Sequence, residues 1–336
     1  MRNLFIDLNN AVAGAELTPA PRYFIPDLLL DSNIFYDMPN GKYHATPELS
    51  SSTLKHATTP KGYKQFLDKG MQIRNNECLI IGTALHSLIL EPHKQHQFII
   101  YNEDKLLKEV QAENPDTSPE NLKRTKKWRE LRAQFLDPAT GLFLPGVIEK
   151  KRFSSIWELA KELRTHPEIM GLYRHSYPEV SIFAKFRDLN VKIRPDLLKV
   201  ADAADAMNFG VKTGDIIIMS VKTTIDASPN GFYRECQKLK YDLAEAFYHD
   251  IVDCVKSRFG ASETAKVHTF YLAVEKDKDG LMNGLYLLRR CTDTHINRGR
   301  ELYEDALEVY LHCRDTKDYT QGYEFFNNGS IIMDID

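Results

Sequence analysis

Apolar residues fall along this chain in runs of two kinds, and each kind predicts a different element. Strand-length runs recur in the second half. Glu179–Phe186 alternates, Val191–Val200 and Asp215–Thr223 are apolar and β-branched, and Val267–Glu275 and a shorter Gly284–Leu288 follow. Helical runs surround them. A serine-capped helix start lies at Pro47–Lys55, an apolar helix over Ile80–Leu90 stops at Glu91-Pro92, and Ser154–Leu163, Asn230–Phe247 and Asn297–Cys313 complete the set. Residues 1–45 are rich in Pro, Asn and Asp without a sustained period; they read as an extended arm with a short strand at Tyr23-Phe24-Ile25. Residues 103–151 are highly charged and read as an exposed helical insertion. Strand, strand, strand, helix, strand with flanking helices predicts an α/β (α+β) core without internal repeats. The expected organisation is an arm over 1–45 and a single domain over 46–336.

Composition narrows this little. With 336 residues, 43% hydrophobic and 27% charged, the chain suits one large domain with insertions or two modest ones. A net charge of -3, from 44 basic and 47 acidic residues, advertises no nucleic-acid partner, although a basic cleft would not need global basicity. The run Lys123-Arg124-Thr125-Lys126-Lys127-Trp128-Arg129 is a solvated helix face or a DNA-backbone contact surface. Five scattered cysteines without a Cys-x-x-Cys pair read as reduced thiols, not a disulfide frame or zinc site. No secretory signal, transmembrane run or lipidation motif is visible, so a cytoplasmic protein with no membrane partner is expected. No Walker-type loop, nucleophile elbow or RNA-binding signature appears.

The informative feature is a polar residue inside each of two strand-like runs. Asp196 interrupts Lys192–Leu198 and Lys222 interrupts Asp215–Thr224, so the pair is expected at the ends of adjacent strands, opposite one another across a turn. Glu179 opens the strand before them. Phosphodiester hydrolysis needs a divalent cation to polarise the phosphoryl group and activate water, and hard cations want carboxylate oxygens. A nearby lysine orients the nucleophile or neutralises developing charge. Each residue alone is an ordinary solvent-exposed strand end; their order, with a helix after the lysine, is far more specific. His86 is the titratable residue inside the apolar helix, where a lone histidine is ordinarily a satisfied core residue. Arg234, Lys238 and Lys240 on the post-lysine helix, and the hydroxyls of Ser51, Ser52, Thr223 and Thr224, suit phosphate contacts, and capping or solvent exposure explains them nearly as well.

In that order the residues resemble the RecE-type exonucleases (exonuclease VIII), a branch of the Pro-Asp/(Asp/Glu)-x-Lys nuclease superfamily, PD-(D/E)XK, that also contains lambda exonuclease. Tyr43-His44-Ala45 with Ser50-Ser51-Ser52-Thr53-Leu54-Lys55 is similar to the family's opening, and Pro60-Lys61-Gly62-Tyr63 to its next turn. Ile81-Gly82-Thr83-Ala84-Leu85-His86 resembles the helix bearing a metal-ligand histidine. Pro178-Glu179-Val180-Ser181 resembles the active-site glutamate segment. Arg194-Pro195-Asp196 matches the metal-binding aspartate, Val221-Lys222-Thr223-Thr224 the catalytic lysine, and Val274-Glu275-Lys276 the penultimate strand. The resemblance implies a PD-(D/E)XK core with a central mixed sheet flanked by helices. It implies a Mg²⁺- or Mn²⁺-dependent deoxyribonuclease that digests one strand of linear double-stranded DNA ends 5′ to 3′, in phage-type recombination. A homo-oligomeric ring, a RecT-like single-strand annealing partner and a bacterial or phage-infected cell go with it. His86 and Asp196 would be metal ligands and Glu179 a supporting acid. Lys222 would orient or activate water, Tyr248 would support the site, and Arg194, beside the aspartate, would meet DNA.

Two positions depart from the pattern. Ser220 stands where the family has an acid two residues before the lysine, and Ala244 where it has glutamine in the following helix. Some type II restriction endonucleases resemble this, writing Ser-x-Lys and placing the acid on the next helix. Glu235, thirteen residues after the lysine, is then the candidate replacement acid and Glu245 a second one. Three readings stay open: an exonuclease, an endonuclease with a relocated glutamate, and a catalytically degenerate relative that binds DNA ends or a recombination partner.

Overall fold

A computed structural model describes residues 32–69, 77–92 and 98–330. The strand expected at Tyr23-Phe24-Ile25 lies outside them. The centre of the protein is a mixed five-stranded sheet in the order β10-β9-β8-β7-β4. It comprises β4 (Ser176–Pro178), β7 (Leu197–Val200), β8 (Ile216–Thr224), β9 (Val267–Lys276) and β10 (Met282–Arg290). A three-stranded sheet, β1 (Ser32–Phe35) with β5 (Ser181–Phe186) and β6 (Leu189–Ile193), lies beside it. β8 and β9 run parallel, and parallel neighbours need a crossover. Helices α4 (Pro229–Lys238) and α5 (Tyr241–Val255) provide it.

β8 is apolar without alternation because both faces are covered. Ile216 and Ile218 pack with α5 and the C-terminal helix α6 (Asp293–Thr316). Ile217, Met219 and Val221 pack against α2 (Glu77–Leu90) and α3 (Lys150–Thr165). A strand alternates faces every residue, so Ser220 and Lys222 belong to the α5 side and Val221 to the α2 side. Ser50 caps α1 (Ser51–Leu54), accepting from the Thr53 N–H as the sequence predicts.

Several expectations need correction. Residues 32–45 are not an extended arm: Ser32–Phe35 joins β5 antiparallel and Asn40–Ala45 is helical. Val191–Val200 is not one strand. It breaks at Arg194-Pro195-Asp196, with β6 in the small sheet and β7 in the large one, because proline has no N–H for a ladder. Asn230–Phe247 is two helices, divided at Lys240, whose φ of 50° is left-handed. The charged insertion ends earlier than Lys151, since α3 starts at Lys150. Its two ends are tied by β2 (Ile99–Tyr101) paired parallel with β3 (Val147–Glu149). Trp128 is buried in a small core with Leu106, Val110 and Leu122. The basic run is partly neutralised inside the insertion: Lys123 pairs with Glu103 at 2.5 Å and Lys127 with Glu113 at 2.6 Å. That favours the solvated-face reading. No helix among the described residues is long and apolar enough to cross a membrane.

Gly299 of α6 lies so close to α5 that a Cβ there would sit 2.2 Å from the Asp242 carbonyl oxygen, a backbone atom that cannot rotate away. Gly299→Ala is therefore expected to cost about 1–3 kcal/mol of stability by overpacking. Urea unfolding would show a lower midpoint at unchanged slope; an unchanged midpoint would mean that the two helices can separate freely.

Candidate metal centre

The chain changes sheets twice at one place. It passes from β4 to β5 at Glu179 and from β6 to β7 at Arg194-Pro195-Asp196, and the Glu179 N–H donates to the Asp196 carbonyl at 3.1 Å. Glu179 makes the turn with φ at 50°, a left-handed conformation uncommon for a residue with a Cβ and typical of functional positions. Both carboxylates thus reach the same junction.

Continuing the β7–β8 register, in which Leu197 faces Met219, puts Val221 opposite Pro195. Pro195 has no hydrogen for the Val221 carbonyl, which accepts from His86 Nε2 of α2 at 2.8 Å instead. The Val221 N–H donates to Asp196 Oδ2 at 2.6 Å. One peptide neighbourhood therefore fixes both side chains. With Nε2 donating to a carbonyl, His86 turns Nδ1 towards Glu179 Oε1, 3.7 Å away; a ligating histidine is ordinarily oriented in this way, by a bond from its other ring nitrogen. Ligand-type atoms of His86, Glu179 and Asp196 all lie within 4.8 Å of one another. They line a solvent-open cavity of about 760 Å³ that also includes Lys222, Arg194, Tyr241 and Tyr248. Two carboxylates and an imidazole with open space in front fit a hard or borderline divalent cation.

Charge explains the rest. Burial pulls Lys222 down, yet Asp196 at 3.7 Å and nearby Glu245 more than offset it, so the group sits above the ordinary lysine value and stays a cation. Burial likewise depresses His86, but Asp196 and Glu179 outweigh it and raise its pKa. Burial raises Glu179, against the opposing hydrogen bond from His86. Glu245 is 2% exposed and its carboxyl is raised by burial, with Lys222 and the Ser220 hydroxyl opposing. Ser220 Oγ donates to Glu245 Oε1 at 2.6 Å, and Glu245 Oε2 has no hydrogen-bond partner among the described residues.

Asp196 and Lys222 are not across a turn: residues 201–215, with a helix over Ala203–Phe209, join the far ends of β7 and β8. Glu235 does not reach the cavity. The break at Lys240 separates α4 from α5, and the Glu235 carboxylate instead accepts from the Thr224 hydroxyl. Thr224, thereby buried and also bonded to the Asp226 carbonyl, is not available to DNA, whereas Thr223 lines the cavity. The acid beneath Ser220 comes from α5, where Tyr241, Glu245 and Tyr248 share one face at helical spacing. Ala244 is buried beside them.

Arg194 lines the cavity, but its guanidinium is committed to Ser181 Oγ, Asn40 Oδ1 and the Met38 carbonyl at 2.8, 2.7 and 3.0 Å. It fastens residues 38–40 to the sheet. Ser51 is buried next to the Tyr248 phenol, whose pKa burial raises; Ser52 is exposed and bonded to Ser50 at 2.8 Å. Arg234 and Lys238 are exposed on α4 and do not line the cavity. Sequence reasoning assigned no site role to Asp37, Asn40 and Tyr43, which wall the cavity; they belong to the stretch without periodicity, and the one signal there was the resemblance at Tyr43-His44-Ala45.

A family model described as a PDDEXK-like domain of unknown function (DUF3799) matches residues 50–322. No curated protein matches the sequence. Among solved structures, one from Eubacterium rectale, named a putative exonuclease, is 12% identical, with 89% of this chain and 96% of that chain covered and a TM-score of 0.48. Protein VC1899 from Vibrio cholerae is 9% identical over 85% of this chain and 58% of that one, with a TM-score of 0.20.

His86 and Glu179, raised in the folded protein, contribute stability that is fully present below their ordinary values of roughly 6.5 and 4.3 and is lost as pH rises through the raised ones. A cation needs both deprotonated, so it replaces what rising pH removes. Mn²⁺ is therefore expected to raise the melting temperature more at pH 8 than at pH 5.5, and not at all in Asp196→Asn. Equal shifts at both pH values would exclude His86 and Glu179 as ligands.

Proposed function

Because the chain belongs to the PDDEXK-like family DUF3799, we propose that its Asp196–Glu179–His86 centre serves a metal-dependent deoxyribonuclease acting on the ends of linear double-stranded DNA. The observation that carries the reading is the set of three ligand-type side chains within 4.8 Å of one another, with the Lys222 ammonium 3.7 Å from Asp196. Mg²⁺ or Mn²⁺ bound there supplies polarisation of a phosphoryl oxygen and activation of water. The chain's own residues do the rest. Asp196 and Glu179 present carboxylate oxygens, and His86, its Nε2–H held by Val221, presents Nδ1. Lys222, a retained cation, neutralises charge developing on the phosphoryl oxygens and orients water; it does not take the proton. Glu245 stands in for the acid missing at Ser220, supported by their hydrogen bond and by its free second oxygen. Tyr248 braces the wall through Ser51.

Digestion of one strand in the 5′ to 3′ direction, a ring of several copies, a RecT-like annealing partner and action in the cytoplasm of a bacterial or phage-infected cell complete the proposal. Residues 46–336 would act as one nuclease domain. A second reading has its own support: Ser220 and Ala244 remove two polar groups from the site, which favours a degenerate module that grips DNA ends without cutting.

Digestion of 5′-phosphorylated linear duplex with Mg²⁺ or Mn²⁺ tests the choice. Wild type is expected to remove one strand and to spare closed circular DNA, and Lys222→Ala to slow the reaction roughly 10²–10³-fold. Glu245→Gln should slow it as well, with Ser220→Asp restoring part of the loss. Cleavage by wild type that Glu245→Gln leaves untouched would remove Glu245 from the site. No cleavage with either metal, with duplex still bound, would establish the binding module.

A further inference from the structure

Lys55, immediately after α1, brings a second ammonium group to Tyr241, a residue of the cavity wall. Its Nζ lies 5.1 Å from the centre of the Tyr241 ring, and Lys222 Nζ lies 5.6 Å from the same centre. Tyr241 lines the cavity next to Lys222 and Tyr248. The two cations differ in one respect. Lys222 has Asp196 at 3.7 Å, whereas Lys55 has no carboxylate within 4 Å and no hydrogen-bond acceptor among the described residues. The nearest acids have partners of their own: Glu245 Oε1 accepts from Ser220, and Asp242 lies 3.4 Å from Arg298.

Such an arrangement is costly in the protein alone. Burial, and then the like charge of Lys222, push Lys55 down to about 8 against the opposing pull of Glu245 and Asp242, so it is still mostly a cation at neutral pH but has no ion pair of its own among the described residues. A buried structural lysine ordinarily acquires a partner, as Lys199 does with Asp205 at 2.7 Å. The positive field extends to His56, whose pKa is depressed by burial and then by Lys240 and Lys55. An anion entering beside Tyr241 would turn a repulsive pair of ammonium groups into a bridged one.

We propose that Lys55 and Lys222, both held against the ring of Tyr241, form a seat for a phosphodiester group of the DNA strand being cut, separate from the phosphate at the Asp196 centre. The inference rests on the nuclease reading and names a second contact by which the same site holds its strand. Lys55 is a binding residue in this scheme. It sets how strongly the strand is gripped and how steeply that grip falls with salt.

Fluorescence anisotropy of a labelled duplex oligonucleotide, without divalent cation and over a salt series, tests it on the full chain. Lys55→Met is expected to weaken binding about tenfold and to reduce the slope of log affinity against log salt by about 1. Lys55→Arg should recover most of both. In steady-state digestion, Lys55→Met should raise KM by a larger factor than it lowers kcat. Thermal melting checks that each variant is folded, with Lys55→Gln taking the place of the methionine variant if that one is not. A folded Lys55 variant with unchanged affinity and slope would overturn the seat while leaving the nuclease reading intact. Absence of duplex binding by the wild type at any salt would overturn both.

Discussion

The site depends on a gap in a hydrogen-bond ladder. β7 and β8 pair in register until the position opposite Val221, which is Pro195. A proline there cannot donate, so the strand leaves the large sheet and the Val221 peptide groups are left to bond side chains. Asp196 and His86 take them, at 2.6 and 2.8 Å. The chain enters the small sheet at Glu179, whose left-handed turn brings its carboxylate to the junction, and leaves that sheet at the same place through Pro195. A single missing N–H thus organises one aspartate, one glutamate and one histidine from distant parts of the chain.

Electrostatics then bind these groups to a function. Two carboxylates at one junction repel, and the protein alone answers with protons and ammonium groups: His86 and Glu179 titrate high, and Lys222 stays charged beside Asp196. A divalent cation would satisfy the same carboxylates better and free the proton on the imidazole. The stability of this region and its affinity for metal are therefore opposite faces of one charge balance, set by the same few distances.

The departure at Ser220 has a geometric answer. Ser220 and Lys222 share the face of β8 that meets α5, so a carboxylate lost from the strand can be presented from the helix. From that helix Glu245 accepts the Ser220 hydroxyl, with a buried carboxyl whose second oxygen has no partner among the described residues. Glu235, closer in sequence to the lysine, fails because the backbone reverses at Lys240 and carries α4 away from the cavity.

Sequence by itself determined the strands and helices wherever burial imposes a period: β8 and β9, covered on both faces, and α2, α3 and α6. It marked Asp196 and Lys222 as polar interruptions of apolar runs, and the family resemblance added His86 and Glu179 to the series. It also marked Ser220 as anomalous. Tertiary structure alone decided which acid stands behind Ser220, since Glu235 and Glu245 differ only in where a helix breaks. It also decided that Asn40 and Tyr43 wall the cavity, through the grip of Arg194 on residues 38–40. The position of Lys55 against Tyr241, 186 residues later in the chain, was beyond sequence for the same reason. Local periodicity reports what a residue does to its own strand or helix, and says nothing about which distant side chain arrives beside it.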